Sequence, residues 1–410
     1  MNLKLKLKNS KIKIFLLVLI FQLFFTGKVL GAPITGLGIL GDSNTDEYRA
    51  DDNRGGSYSA TTYNWLELLV KYRGVNAGAW GCRSEPRRCG YAYNWARTAA
   101  NASSMITSGQ HTGLASQVQQ GLVTHAVIWI GTNDFSPNPA VATYDPIYNG
   151  TMTDAQIQSK INGILANITT AVDTILNTKN IPIIIANIGD PGQFLLIQSL
   201  YPNATGRQRA TQAINTVNQG IATIASQRNL ALFDFNKWAS TQLAGTSFTI
   251  AGETISLTSF NNEPHNAVMS DSHMGTVLNG MLSNKLFMEP MNSKYAQTFT
   301  LFSDTEILTN AGISVNPSPT PTVRPPSPTP TSGVINTPTP TPTIIPTATP
   351  TATSKPGDAN GDGKVNGADY LIWFANYKKS TSQGPSAGDF NRDTIVNGAD
   401  YIVWFSNYNK

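Results

Sequence analysis

The large central part of the chain alternates short apolar runs with longer amphipathic stretches. Continuously apolar runs predict four strands, at residues 34–40, 126–130, 181–188 and 231–235. Apolar residues repeated every three or four positions predict helices between them, at residues 63–72, 153–178 and 205–228. Strands that are apolar on both faces are typical of a parallel sheet covered by helices on both sides. The pattern therefore predicts a three-layer α/β domain.

Smaller features refine this prediction. Thr153 and Gln156 have the spacing of a capping box, which predicts where the second helix begins. Residues 249–257 carry a central glycine and predict a peripheral hairpin. A last helix is expected from about Met274 toward Met291.

Two changes of composition divide the rest of the chain. Pro/Thr repeats fill residues 316–356, and such a segment favours extended polyproline conformations because it cannot bury apolar surface. An aromatic-rich module follows, in which residues 365–377 match residues 396–408 at ten of thirteen positions, 31 residues later. We expect four parts: residues 1–31, 32–313, 314–356 and 357–410.

The N-terminal part has the pattern of a secretory signal. Residues 1–31 hold six lysines and no acid, and residues 14–25 are apolar except for Gln22. A bilayer requires about 20 apolar residues, so this run is too short for a transmembrane helix. We expect cleavage after Gly31 and a secreted product, either free or associated with the cell surface. An uncleaved N-terminal anchor is the alternative.

The formal net charge of +4 comes from this leader. Without it, 23 basic residues face 25 acidic ones. This balance argues against a nucleic-acid-binding protein, which requires a basic face. In an oxidising compartment, Cys82 and Cys89 are expected to form a disulfide that closes a small loop.

Candidate catalytic residues follow two of the predicted strands. The first strand ends in Gly41-Asp42-Ser43, where a serine could act as a nucleophile if a base removed its proton. The strand at residues 126–130 leads to Asn133, whose amide could donate to a developing oxyanion. A turn or helix cap at Ser43 and an Asx turn at Asn133 are the structural alternatives.

Four histidines are candidates for the base. His125 begins a strand and His111 lies in a polar stretch expected to be a loop, so both are interpreted as structural. His273 lies just before the last helix, two residues after Asp271. His265 is the competing candidate.

These short motifs, in this order, resemble the blocks of the SGNH/GDSL hydrolase superfamily over most of residues 33–290. The resemblance implies a flavodoxin-like α/β/α sandwich and an esterase activity that needs no cofactor. It makes Ser43 the nucleophile and a backbone oxyanion donor, and His273 the base. Asn133, in the third block at residues 131–134, would be a further oxyanion donor, together with the backbone N–H of Ala99 in the second block at residues 94–100.

The chain departs from the family pattern at two positions. The glycine of the second block is replaced by Ala99, whose N–H could still reach the oxyanion if its φ were negative. The family's acid lies three residues before the histidine, where this chain has Ser270. Asp271 could replace that acid if the segment were extended, because alternate side chains then share a face. A Ser-His dyad, or an acid from elsewhere, is the alternative.

The C-terminal module contains two loops with the oxygen-ligand spacing of an EF-hand. The predicted Ca²⁺ ligands of the first loop are Asp358, Asn360, Asp362, Lys364, Asn366 and Asp369. Those of the second are Asp389, Asn391, Asp393, Ile395, Asn397 and Asp400, with Lys364 and Ile395 contributing backbone carbonyls. Thr394 stands where the sharp turn prefers glycine, so weaker binding is expected in the second loop. An Asp/Asn-rich turn without metal is the alternative.

Paired loops of this kind resemble a type I dockerin, a small α-helical calcium-binding domain. The resemblance implies a cohesin-bearing scaffold protein as partner. Positions 10 and 11 of the loops, which help to select the cohesin, are Gly367-Ala368 and Gly398-Ala399. Because these residues are so small, the cohesin prediction has less support than the calcium prediction.

The combined expectation is a secreted serine esterase that deacetylates a polysaccharide and attaches through its dockerin-like module. A lipid or short-chain esterase is the enzymatic alternative. A non-catalytic glycan-binding or adhesion protein on the same scaffold is the alternative from another class. No nucleic-acid partner is expected, nor is an integral membrane protein.

Overall fold

The computed structural model describes residues 31–50, 54–85, 87–137, 143–194, 197–198, 201–315, 355–377 and 379–408. The predicted signal and the Pro/Thr linker lie almost entirely outside these residues. Within them, no helix is long and apolar enough to cross a membrane.

The described residues form nine strands: β1 (Leu37–Gly41), β2 (Trp80–Cys82), β3 (Cys89–Tyr91), β4 (His125–Trp129), β5 (Ile183–Ala186), β6 (Ala231–Phe233), β7 (Ser247–Ile250), β8 (Glu253–Phe260) and β9 (Asn266–Val268). The helices of the large domain are α1 (Trp65–Arg73), α2 (Ala102–Thr107), α3 (Gln110–Gln119), α4 (Asp145–Tyr148), α5 (Asp154–Thr178), α6 (Ala204–Gln227), α7 (Phe235–Gln242), α8 (Thr276–Leu282), α9 (Glu289–Lys294) and α10 (Asp304–Asn310). Those of the C-terminal module are α11 (Gly367–Asn376) and α12 (Gly398–Asn407).

A parallel sheet in the order β1-β4-β5-β6 forms the centre of the large domain. Alternate residues of its strands are buried in two separate apolar cores. One core contains Ile39, Val127 and Ile184, and the other contains Leu40, Ile128 and Ile185. Helices cover both cores, so the predicted three-layer α/β architecture is confirmed. Because all strands run the same way, their carboxyl ends meet at one edge of the sheet.

The predicted boundaries agree best where capping chemistry marks them. Thr153 caps α5 through the predicted capping box with Gln156. The predicted hairpin is formed by β7 and β8, and β9 joins it as a third strand. The last helix begins at Thr276 and continues through a π-helical turn, Ser283–Met288, into α9.

The prediction of a polar loop around His111 is wrong, because this residue lies in α3 and is buried. Neither α2 nor α3 has a clear apolar period, since both are rich in small and polar residues. They are helical because Met105, Leu114 and Val118 complete one of the two cores.

The disulfide expected from the sequence is present. Cys82 and Cys89 pair across the β2–β3 hairpin and form a disulfide. Trp80 begins this hairpin and remains 44% exposed, whereas Trp65 is fully buried in the core.

The C-terminal module reflects its internal repeat. Trp373 of α11 donates from Nε1 to the carbonyl of Asn397, at 2.9 Å. Trp404 of α12 makes the equivalent 2.9 Å bond to the carbonyl of Asn366. Each helix thus supports the loop that precedes the other, and the duplicated sequence forms one small core.

Candidate active site

The turn after β1 holds the candidate nucleophile. Asp42 is buried, and its carboxylate accepts from the Asn44 backbone at 2.9 Å while its carbonyl accepts from Thr45 at 3.0 Å. Ser43 is only partly buried at the start of this turn. A side chain at Gly41 would overlap the Thr45 hydroxyl, so the tight turn requires glycine there. The hydroxyl of Ser43 is therefore presented on a rigid, closely packed turn.

Burial raises the pKa of Asp42 to about 6, against the opposing effects of Asn44 and of His273. In the part of the chain that the structure describes, its Oδ2 has no hydrogen-bond partner of normal geometry. The nearby Thr132 hydroxyl lowers this pKa slightly, but it does not make a well-formed hydrogen bond to the carboxylate. The charge of this carboxyl group is consequently sensitive to its surroundings, which include the imidazole of His273.

The second block packs directly against the first. The Arg97 N–H donates to the carbonyl of Gly41 at 3.0 Å. Asp46 accepts from the backbone and the hydroxyl of Thr98, at 2.7 and 2.9 Å. These bonds fix the backbone that leads into Ala99 beside the candidate nucleophile.

The expected negative φ of Ala99 is wrong, since the structure gives it a φ of 66°. The backbone is held on one side by Asp46, and on the other Ala100 closes a turn onto the carbonyl of Arg97. This path requires a left-handed residue, which explains why glycine suits the position. Ala99 adopts the glycine conformation in spite of its methyl group.

The third block approaches the second through a side chain. Asn133 lies in a single 3₁₀ turn, Thr132–Phe135, and its Nδ2 donates to the carbonyl of Ala100 at 2.8 Å. Asp134, next to it, accepts from the backbone of Ala102 at 2.9 Å. A primary amide has two hydrogens, so Asn133 can bond Ala100 and still donate a second hydrogen bond.

His273 has an acid beside it. Its Nδ1 lies 3.0 Å from Oδ2 of Asp271, although the N–H direction is poorly aligned for a hydrogen bond. The backbone N–H of His273 donates to the other carboxylate oxygen at 3.2 Å. A cation also approaches this carboxylate, since the Nε of Arg54 lies 2.7 Å from Oδ2. Partial burial raises the pKa of Asp271, but His273 and Arg54 together lower it well below its usual range.

The segment around this pair is a tight turn, so the expected extended conformation is wrong. Ser272 has a φ of 68°, and its N–H donates to the carbonyl of Met269. This left-handed residue folds Asp271 back onto His273. Ser270, at the position of the family's acid, directs its hydroxyl toward Asn262 at 3.1 Å.

Tyr48 connects the two halves of the site. Its ring meets the imidazole of His273 edge-on, with centroids 6.1 Å apart. Its hydroxyl donates to the carbonyl of Met274 at 3.1 Å. His273 therefore packs against Tyr48, five residues after Ser43, and it is close enough to Asp42 to lower the pKa of that carboxyl group.

The competing histidine, His265, contacts a different acid. His265 is half-exposed, and its Nε2 is 3.5 Å from the carboxylate of Glu253 in β8. His125 is buried at the start of β4, as expected.

The candidate calcium loops are built around buried carboxylates. In the first loop, Asp358 accepts from the backbones of Gly361 and Gly363, at 2.7 and 3.0 Å. Asp369 is also buried and accepts from the backbone of Asn366 at 2.8 Å. The first loop thus places two carboxylates where water does not solvate them fully.

The second loop gathers three acids. Asp389, Asp393 and Asp400 each place one carboxylate oxygen within 4.8 Å of the others. Two of them are fully buried, and Thr394 has a φ of 72° where glycine was expected. A set of converging oxygen donors that carries several negative charges fits Ca²⁺, which prefers such ligands.

Comparisons with known proteins agree with these two parts. Residues 39–249 match the profile of the GDSL-like lipase/acylhydrolase family, and residues 356–403 match the type I dockerin domain. The chain belongs to the GDSL-like lipase/acylhydrolase family and carries a type I dockerin domain. The resemblance stated from the sequence is therefore confirmed, and with it the general class of hydrolase.

Several solved structures are similar. A lipase from a goat rumen metagenome is 12% identical, with 61% of this chain and 95% of that one covered and a TM-score of 0.37. An extracellular lipase from Streptomyces rimosus is 16% identical, covering 63% and 99%, with a TM-score of 0.34. An acetylxylan esterase from Geobacillus stearothermophilus is 16% identical, covering 66% and 99%, with a TM-score of 0.35. No curated protein sequence matches significantly.

Proposed function

We propose that this chain is a secreted serine esterase that cleaves ester bonds through an acyl-serine intermediate. The observation that carries the proposal is the position of His273, which lies beside Asp271, packs edge-on against Tyr48 and lowers the pKa of Asp42, the residue before Ser43. A base, an acid that orients it and a serine hydroxyl within reach of the base form the arrangement that activates a serine.

In this mechanism His273 takes the proton of the Ser43 hydroxyl while the serine oxygen attacks the carbonyl carbon of the ester. The negative charge that develops on the carbonyl oxygen is stabilised by the N–H groups of Ser43 and Ala99 and by the amide of Asn133. The protonated imidazole gives its proton to the leaving alcohol. Water, activated by the same imidazole, then releases the acid and restores Ser43. Asp271 keeps the imidazole oriented and stabilises its charged form.

We propose short-chain deacetylation of a polysaccharide as the reaction in its natural setting. Trp80 is exposed on a hairpin that the disulfide closes, and the Arg49 guanidinium lies 5.5 Å from its ring centre. A flat, exposed aromatic ring held in this way suits stacking on a sugar. A dockerin domain would also keep the enzyme near an insoluble target, which raises the effective substrate concentration.

The dockerin domain is proposed to bind Ca²⁺ in both loops and to attach the enzyme to a cohesin outside the cell. Buried Asp358 and Asp369 would hold the ion in the first loop, and Asp389, Asp393 and Asp400 in the second. The ion would neutralise these carboxylates and order the loops, which couples metal binding to folding of the module.

The test uses the full secreted chain with p-nitrophenyl esters of increasing acyl length and with acetylated xylan. Acetyl esters should be hydrolysed fastest, acetate should be released from the xylan, and Ser43→Ala should abolish both activities. Turnover retained in Ser43→Ala would refute the catalytic assignment. A preference for acyl chains of about eight carbons or more, with no acetate released, would instead favour a lipid esterase.

A further inference from the structure

Asp271 is held by a second side chain besides the imidazole. Arg54 Nε lies 2.7 Å from the same Oδ2 atom that faces His273. The guanidinium side chain is only 5% exposed, whereas the carboxylate is 39% exposed. The buried partner of this pair is therefore the arginine, and the acid sits at the protein surface against it.

The surroundings of Arg54 hold its guanidinium group in a fixed position. Its guanidinium carbon lies 5.0 Å from the ring centre of Tyr48, within the range of a cation–π contact. Tyr48 is fully buried and is itself anchored through its hydroxyl to Met274, the residue after the imidazole. Arg54, Tyr48 and the turn at residues 271–274 thus form one packed unit.

We infer that Arg54 is a positioning residue for the Asp271–His273 pair, an inference that rests on the proposed esterase mechanism. The acid lies two residues before the histidine, on a turn with a left-handed Ser272. From there its carboxylate meets Nδ1 with poor alignment. A second donor to the same carboxylate oxygen, the Arg54 Nε, fixes the position of this carboxylate where the short spacing alone does not.

Arg54 also sets the charge that the imidazole meets. Among the described residues, the titratable and charged groups near His273 are Asp271, Tyr48 and Asp42, together with Arg54 on the Asp271 carboxylate. The guanidinium offsets part of the negative charge of Asp271. Without it, the uncompensated carboxylate would stabilise the imidazolium, which cannot act as a base. The acidic limb of the pH profile should then move to higher pH.

The test measures kcat and KM across pH with p-nitrophenyl acetate for the wild-type chain and for Arg54→Met. We expect the acidic limb of the kcat/KM profile to move to higher pH by about one unit, which is the effect of removing a single, partly screened charge. The plateau value of kcat should fall at least about tenfold because the acid is less well held, with KM changed less than about twofold. Arg54→Lys retains the charge and should leave the acidic limb near that of the wild type.

A matched control exists in the same domain. Arg73 pairs with Glu306 at 3.1 Å and its guanidinium lies 3.8 Å from the ring centre of Phe302, so it repeats the contacts of Arg54 away from the site. Arg73→Met should leave both the limb and kcat unchanged. If Arg54→Met does not fold, Arg54→Gln, which also lacks the charge, should show the same shift of the acidic limb of kcat/KM.

An acidic limb that stays in place in a folded, uncharged variant at position 54 would overturn the inference. The inference would also be overturned if Arg73→Met lowered kcat as much as Arg54→Met does. Either result would leave the proposed function intact as long as Ser43→Ala abolishes turnover. Failure of the proposed function would appear instead as turnover in Ser43→Ala.

Discussion

The left-handed conformation of Ala99 makes Ala99→Gly a direct test of strain in the site. An alanine in this conformation costs roughly 1–2 kcal/mol relative to the right-handed regions. Glycine removes that cost, but it also gives the unfolded chain more conformational entropy, which destabilises the folded protein by roughly 0.4–1 kcal/mol. The methyl group of Ala99 is exposed, so its loss removes little buried surface. The net expectation is a gain of about 0.5–1 kcal/mol in the free energy of unfolding.

For a domain of this size, about 1 kcal/mol raises Tm by roughly 2–4 °C. Calorimetry of the full chain should therefore show the main transition of Ala99→Gly about 1–3 °C above that of the wild type. The activity should stay within about twofold, since the N–H remains in place and the glycine prefers the same φ.

Ala251→Gly and Ala296→Gly are matched controls. Both alanines are exposed and left-handed, with φ of 47° and 55°, and both lie outside the site. They should raise Tm by similar amounts without changing kcat. If the controls stabilise the protein while Ala99→Gly destabilises it, the left-handed backbone of Ala99 is not strained and the reasoning is refuted.

Two further outcomes follow from the site and from the dockerin loops. His273→Ala should lower kcat by on the order of 10⁶-fold and Asp271→Asn by on the order of 10⁴-fold, measured with p-nitrophenyl acetate beside His265→Ala as an unaffected control. Full activity in Asp271→Asn would assign the orienting role to another acid or to none. Thr394→Gly should tighten Ca²⁺ binding about fivefold by removing roughly 1 kcal/mol of strain, and Asp358→Ala should weaken it. Titration calorimetry that detects no calcium site in the wild type would contradict both statements.

The sequence predicts most reliably what local chemistry determines. The apolar runs of the sheet are continuous because both faces are buried, so the bounds of β1 and β4 lie within three residues of the expected ones. Thr153 identifies the start of α5 because a capping side chain acts within its own turn. In α2 and α3, by contrast, tertiary packing stabilises helices whose own residues show no apolar period.

The backbone conformation of the site was not predicted from the sequence, since a negative φ was expected for Ala99. A family position that is normally glycine signals that the chain needs a positive φ there. Ala99 keeps this positive φ although the glycine is replaced by alanine. No such signal marked Ser272, whose left-handed turn replaces the expected extended segment. Its conformation depends on the bonds between Met269 and His273, which close the turn from both ends.

Long-range partners explain how the site tolerates both departures from the family pattern. Ala99 keeps its left-handed backbone because Asp46, 52 residues before Thr98, holds the preceding peptide. Asp271 serves from a shifted position because Arg54, 217 residues before it, donates a hydrogen bond to its carboxylate. Neither partner can be read from the motifs, since a contact across such a separation exists only once the sheet has brought its strand ends together. Each local strain, of about 1–2 kcal/mol, is thus offset by a buried or charge-assisted hydrogen bond of similar size.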